Sequence, residues 1–251
     1  MKLFVVAIAF LTRIPASAHG EFSAADVGKA ARWFPLVGAL IGVVCLLTSL
    51  GLSSVLPALV IAVVIVAIEA LLTGALHLDG LADMADGFGG GRSREEILLI
   101  MRDHAIGSYG AVALILLVLI KLTTLAGLIE RRRLAPYLII APMLARWSTV
   151  LLNCLLPYAR RSESEGRKPA GVVTDFIGFR EAMVATVTSL VITLGLLGWQ
   201  GLIYCFAVIV ASAVSARICH SHIGGVTGDT LGANTEICEA VVLLVALGWG
   251  K

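Results

Sequence analysis

Three aspartates, Asp79, Asp83 and Asp86, stand at the end of a long apolar run. On a helix their i, i+4, i+7 spacing directs all three carboxylates to one face. Like charges that close stay ionised together only when cations sit among them. Carboxylate oxygens are hard ligands, suited to Mg²⁺, Mn²⁺ or Ca²⁺ rather than zinc. By the same geometry His77 falls on the opposite face and is not expected to ligate. Gly87, Gly89, Gly90 and Gly91 follow, then Arg92, and a short amphipathic stretch ends at Arg102, Asp103 and His104. Glycines let backbone N–H groups approach an anion closely. Arg92 and Arg102 can grip phosphate oxygens bidentately. Together these residues predict metal-assisted phosphoryl transfer. The P-loop lysine motif of a Walker-type nucleotide site is missing. A second polar patch, His220–Glu239, is similar in kind: Gly224, Gly225 and Gly228 precede Asp229, Asn234, Glu236 and Glu239. If the chain is helical from Gly228, Asp229 and Glu236 share a face. The patch would then complete the metal shell or grip a polar substrate.

The elements that must position these groups are membrane spans. The 251-residue chain is 59% hydrophobic and 14% charged, far from the half-apolar, quarter-charged balance of soluble domains. Several windows of about 20 residues lack charge, enough to cross ~30 Å of hydrocarbon. The expected fold is therefore all-α, a polytopic helical bundle of six to seven transmembrane spans forming one domain over residues 1–251. The net charge of +2 gives no reason to expect a nucleic-acid partner. The five cysteines are scattered without a C-x-x-C pair, so neither disulfides nor a zinc site is expected.

Spans are expected at 33–55, 57–76, 109–129, 134–156, 181–197 and 201–218, with a partial seventh ending near Trp249. The second runs directly into the aspartates. The N-terminal stretch imitates a secretory signal, with Ala16–Ala18 as a cleavage-like site. Thr12 and Arg13 interrupt that pattern, which favours a short interfacial or re-entrant segment ending at Pro15. Ser93 with Glu96 three residues on predicts a capping box opening a short helix to Met101. Pro157–Arg180 reads as a loop. An even number of spans separates the aspartates, this loop and the His220–Glu239 patch, which puts all three on one side. Most of the nineteen Lys and Arg residues collect there, Lys29, Arg32, Arg92, Arg160 and Arg180 among them. The positive-inside tendency makes that side cytoplasmic, although Arg131–Arg133 fall opposite. Arg146 lies inside a span, where a charge usually has a functional or paired role, an acidic partner being expected. Lys121, also inside a span, is expected to snorkel.

Four blocks carry a family resemblance: LTRIP (Leu11–Pro15), WFPLVGALIG (Trp33–Gly42), TGALHLDGLADMADGFGGGRSREEILLIMRDHAIGSYG (Thr73–Gly110) and GGVTGDTLGANTEICE (Gly224–Glu239). In sequence and order they resemble the bacterial cobalamin synthases, the adenosylcobinamide-GDP ribazoletransferases. The resemblance implies a multi-pass enzyme of the bacterial inner membrane with its active site facing the cytoplasm. Its substrates would be adenosylcobinamide-GDP and α-ribazole or α-ribazole 5′-phosphate, its product adenosylcobalamin or the 5′-phosphate, with GMP released. Its cofactor would be Mg²⁺ and its partner the lipid bilayer; an oligomer is compatible with it. One departure is visible. Family members usually carry a basic residue at the position of Ala105, within Met101–Ala105.

On that reading Asp79, Asp83 and Asp86 hold one or two Mg²⁺ ions at the pyrophosphate. A ribose hydroxyl attacks the phosphorus nearest cobinamide, with Asp86 as candidate base. Arg92 and Arg102 ease the charge of departing GMP, and Asp229 and Glu236 complete the site. Asp83 and Arg102 join Asp86 as catalytic candidates; Asp103 and Arg146 join the substrate-binding set. A rival reading is a CDP-alcohol phosphotransferase of phospholipid synthesis. Its D-G-x-x-A-R pattern fails here, because Asp83 stands where the signature continues differently. A cation-coupled transporter is a third reading, but the charges sit at span ends and no internal repeat is visible.

Overall fold

The computed structural model describes residues 2–15, 22–103, 105–160 and 173–249. Ala16–Ala18, His104, most of the loop after Arg160 and Lys251 lie outside them. Eleven α-helices carry the described chain: α1 (Lys2–Leu11), α2 (Ala24–Ala30), α3 (Phe34–Leu52), α4 (Ala58–Thr73), α5 (Leu76–Gly90), α6 (Arg94–Ile100), α7 (Ser108–Glu130), α8 (Leu134–Leu155), α9 (Phe179–Leu197), α10 (Gly201–Ile223) and α11 (Gly228–Trp249). Tyr158 and Val226 form an isolated bridge.

Five helical stretches are long and apolar enough to cross a membrane, and the bent pair α4–α5 makes six. The longest stretch, Phe179–Ile223, folds back on itself and so adds a seventh crossing. Gly201 lies against the backbone oxygen of Thr193, whereas eight residues along a straight helix would stand about 12 Å apart. Gly198, at φ +59°, makes the turn. The ten residues of α1 rise about 15 Å, too short to cross.

The second span breaks where the sequence suggested continuity. Gly74 and Ala75 both adopt positive φ, +64° and +58°. A glycine accepts that backbone readily; an alanine does so only when its surroundings hold it there. The result is a 90° bend between α4 and α5, closed by the Ala75 N–H donating to Ala70 O. The Arg13 N–H donates to Leu72 O at 2.7 Å, so the N-terminal segment braces this corner.

The last helix extends a second expectation. The chain is helical from Gly228, the condition for Asp229 and Glu236 to share a face, and α11 runs unbroken for 22 residues instead of forming a partial span. Its polar residues are accommodated because Asn234, Glu236 and Glu239 face polar partners inside the bundle. Thr227 and Thr230 start it reciprocally, each backbone N–H donating to the other's hydroxyl. Small residues set the packing. Gly38 and Gly42 of α3 rest against Pro142 and Leu138 of α8, which makes the pair antiparallel. Close backbone approach through glycine is the usual device where lipid cannot drive helices together.

Candidate active site

Asp79 and Asp83 occupy one face of α5, where the helical spacing puts them. The C-terminal part of α5 is tied down through Asp86. Its two oxygens accept the Gly107 N–H at 2.7 Å and the Gly110 N–H at 2.9 Å. Those amides belong to the N-cap and the first turn of α7, so Asp86 supplies the cap that Gly107, lacking a side chain, cannot. A carboxylate spent on two backbone donors has less left for a metal or a proton.

Asp229 takes the neighbouring place. At the start of α11 it comes against α5 at Gly80: a Cβ there would sit 2.6 Å from Asp229 O. Asp83 lies in the field of Asp79 and Asp229, and to a smaller extent Asp86, with Arg160 as the opposing charge. Arg160 donates to Asp229 Oδ2 at 3.0 Å, and Thr227 donates to the same oxygen at 3.3 Å. Burial raises the Tyr158 phenol, while the cationic Arg160 works against that shift and the carboxylate of Asp229 adds to it. A weaker influence of Arg102 reaches the same phenol. The even-span argument is thereby met at atomic distance. Segments before α7, after α8 and after α10 converge, and Arg94 donates to both Ala159 O and Ile223 O across them.

The glycine cluster behaves differently from the anion cradle its sequence suggested. Gly87, Gly89 and Gly90 are helical residues of α5, with their amides committed to the helix. Gly87 lets Met101 approach, and Gly89 lets the Tyr109 ring approach. Gly91 ends the helix, after which Ser93 caps α6 by accepting the Glu96 N–H. The Glu96 carboxylate returns to the Arg92 N–H at 2.8 Å rather than to Ser93. Arg92, Arg102 and Asp103 are exposed; Asp103 accepts the Ala105 N–H at 3.1 Å.

Glu236 and Arg146 lie deeper. Seven residues along α11 separate Glu236 from Asp229, about 10 Å of rise. Glu236 meets Lys121 at 3.3 Å, Lys121 meets Glu239 at 2.6 Å and Glu69 at 2.8 Å, and Arg146 meets Glu239 at 3.3 Å. Arg146 thus has the expected acidic partner. Lys121 does not snorkel. It is 4% exposed and bound on three sides, because a carboxylate within reach is a better partner than a distant interface. The sequence reading missed Glu69, although the rule on intramembrane charge that singled out Arg146 applies equally to it. It also gave Arg160 no role beyond the charge count. A basic residue in a loop carries no sign of which carboxylate it will meet.

A cavity of about 350 Å³ opens beside the carboxylates, its walls including Asp79, Asp229, Tyr158 and, further in, His77 and Arg146. Among the described residues no group of three His, Cys, Asp or Glu side chains is gathered closely enough to hold a metal ion. In kind, the donors are hard oxygens. Asp79, Asp83 and Asp229 are carboxylates on two facing helices, with Arg160 as a counter-charge.

The model of the cobalamin-5-phosphate synthase family matches residues 3–247. The chain belongs to that family. Relatives it resembles include an adenosylcobinamide-GDP ribazoletransferase of Chlorobaculum tepidum, 40% identical over 98% of this chain and 95% of the relative. A protein of the same name from Shewanella amazonensis is 37% identical over 98% and 95%. One from Vibrio cholerae is 34% identical over 99% and 94%. No solved structure matches. The family blocks coincide with the elements that converge here. The block Thr73–Gly110 spans the α4–α5 corner through the start of α7, and Gly224–Glu239 supplies the first half of α11.

Proposed function

We propose that this cobalamin-5-phosphate synthase family member joins adenosylcobinamide-GDP to α-ribazole or α-ribazole 5′-phosphate and releases GMP. The observation that carries it is that Asp79 and Asp229 line one cavity, with Asp83 in the field of both and Arg160 paired to Asp229. Full-length similarity to ribazoletransferases supports the substrates. In the reaction a ribose hydroxyl attacks the phosphorus nearest cobinamide. One P–O bond forms, the bond to the guanylate oxygen breaks, and the hydroxyl proton leaves to a carboxylate of the cluster.

The chain's own groups have distinct parts. Asp79, Asp83 and Asp229 would hold Mg²⁺, an ion that would offset the repulsion Asp79 and Asp229 exert on Asp83. When bound, Mg²⁺ supplies charge neutralisation at the pyrophosphate and acidifies a coordinated hydroxyl. Arg160 keeps Asp229 oriented. Arg92 and Arg102, exposed at the ends of the α6 segment, meet the guanylate phosphate from solvent. Asp86 holds the start of α7 in place, a better use of its geometry than proton abstraction. We place this face on the cytoplasmic side of the bacterial inner membrane, where most of the basic residues gather. Glu236 and Glu239 neutralise buried cations below the site.

The test is GMP release from adenosylcobinamide-GDP plus α-ribazole by the purified protein, with and without Mg²⁺. No GMP under any divalent cation would sink the reading.

A further inference from the structure

The cavity has a chemistry of its own. Phe10, Phe34 and Ile177 make its wall apolar. Its polar lining includes three buried atoms without hydrogen-bond partners: His77 Nδ1, Arg146 Nε and Asn153 Oδ1. His77 is 5% and Arg146 3% exposed. Two of these residues are otherwise engaged: Arg146 gives Nη1 to Pro142 O and Glu239 and Asn153 gives Nδ2 to Thr149 O. Unpaired polar atoms so deep cost free energy unless something fills them. At the open end stand Asp79, exposed, and Asp229, half-buried.

We infer that this cavity is the subsite for the acceptor nucleoside, taking its base inward and its ribose toward Asp79 and Asp229. The inference rests on the ribazole reading above and adds to it where one substrate lies. The base of α-ribazole is a dimethylbenzimidazole. Carbon covers its benzo edge, and the imidazole edge offers one free acceptor nitrogen. That matches an apolar wall and an inward donor, Arg146 Nε–H. Asn153 Oδ1 can accept from a ribose hydroxyl. Guanine fits poorly, because its several donors and acceptors would face Phe10, Phe34 and Ile177 unpaired. The volume, about 350 Å³, is near the lower end for a small-molecule site, which favours the nucleoside over the much larger corrinoid. With the base held inward, a ribose hydroxyl emerges beside the carboxylates.

Two measurements test this on the full chain in detergent. Calorimetric titration with α-ribazole should show saturable binding, weakened about tenfold in Asn153→Ala, the scale of one hydrogen bond to a buried group. Thr149→Leu, which fills the cavity, should weaken it further. Guanosine should not compete. In turnover assays Asn153→Ala should raise KM for α-ribazole about tenfold and leave KM for adenosylcobinamide-GDP unchanged. Absence of ribazole binding by the unaltered protein overturns the assignment. So does unchanged ribazole affinity in folded Asn153→Ala, or a rise confined to KM for adenosylcobinamide-GDP. Failure of turnover with ribazole binding intact and sensitive to Asn153→Ala strikes the reaction reading and upholds the subsite.

Discussion

Arg160 donates to Asp229 across 3.0 Å, linking the chain just after α8 to the first turn of α11. Half-buried, with partner carboxylates nearby, Asp229 depends on that charge. Arg160→Ala should lower kcat/KM for GMP release at least tenfold, while Arg160→Lys recovers only part, because an ammonium does not hold a carboxylate in the same fixed geometry. Steady-state kinetics at saturating Mg²⁺ separates the two. Equal loss in both variants would mean that orientation, rather than charge, is what matters.

Asp83 and Asp86 should part company on substitution. Asp83→Asn should abolish turnover while the protein still inserts and expresses, and it should not lower thermal stability, since it removes a repelled charge. Asp86→Asn leaves one acceptor oxygen for two backbone amides and should cost about 1–3 kcal/mol. Unfolding followed in detergent, alongside GMP release, reads both. Near-normal turnover in Asp83→Asn would remove Asp83 from the metal set.

Chelation offers an independent check on the hard-ligand reading. EDTA should silence the enzyme, and Mg²⁺ or Mn²⁺ should restore it, whereas Zn²⁺ should not, since the converging donors are carboxylate oxygens. Full activity after exhaustive chelation would refute a divalent requirement.

The ion cluster in the bundle should matter for stability. Lys121→Met strands Glu69, Glu236 and Glu239, which it binds in common. Breaking one partner of a buried charge set typically costs about 3–5 kcal/mol. Lys121→Met combined with Glu236→Gln, which removes a carboxylate paired to Lys121 and leaves the Arg146–Glu239 pair intact, should regain part of the loss. Heat-induced aggregation monitored by size-exclusion chromatography would show the order: unaltered protein, double variant, single variant.

Gly80 gives a purely steric test. A methyl group there meets the Asp229 backbone, so Gly80→Ala should push α11 away from α5 and lower activity more than Gly51→Ala, whose surroundings are open. Comparable activities would show that the helices can slide apart without harm to the site.

Much of this was legible in the chain itself. Apolar length alone marks α3, α7, α8, α9 and α10, because lipid demands that every backbone group be satisfied within a helix. The i, i+4, i+7 spacing fixes Asp79, Asp83 and Asp86 on one strip of α5, and an even number of crossings puts both polar blocks on one side. Tertiary structure decided the rest. Which carboxylates meet depends on the 90° bend at Gly74–Ala75 and on the glycine contact between α5 and α11, and neither leaves a periodic trace in sequence. Asp86 and Asp229 are the same residue type; packing hands one to the amides of α7 and the other to Arg160. How Glu236 and Glu239 could be buried in α11 was not legible either, because burial of a charge depends on whether a partner waits across the helix, as Lys121 and Arg146 do for them.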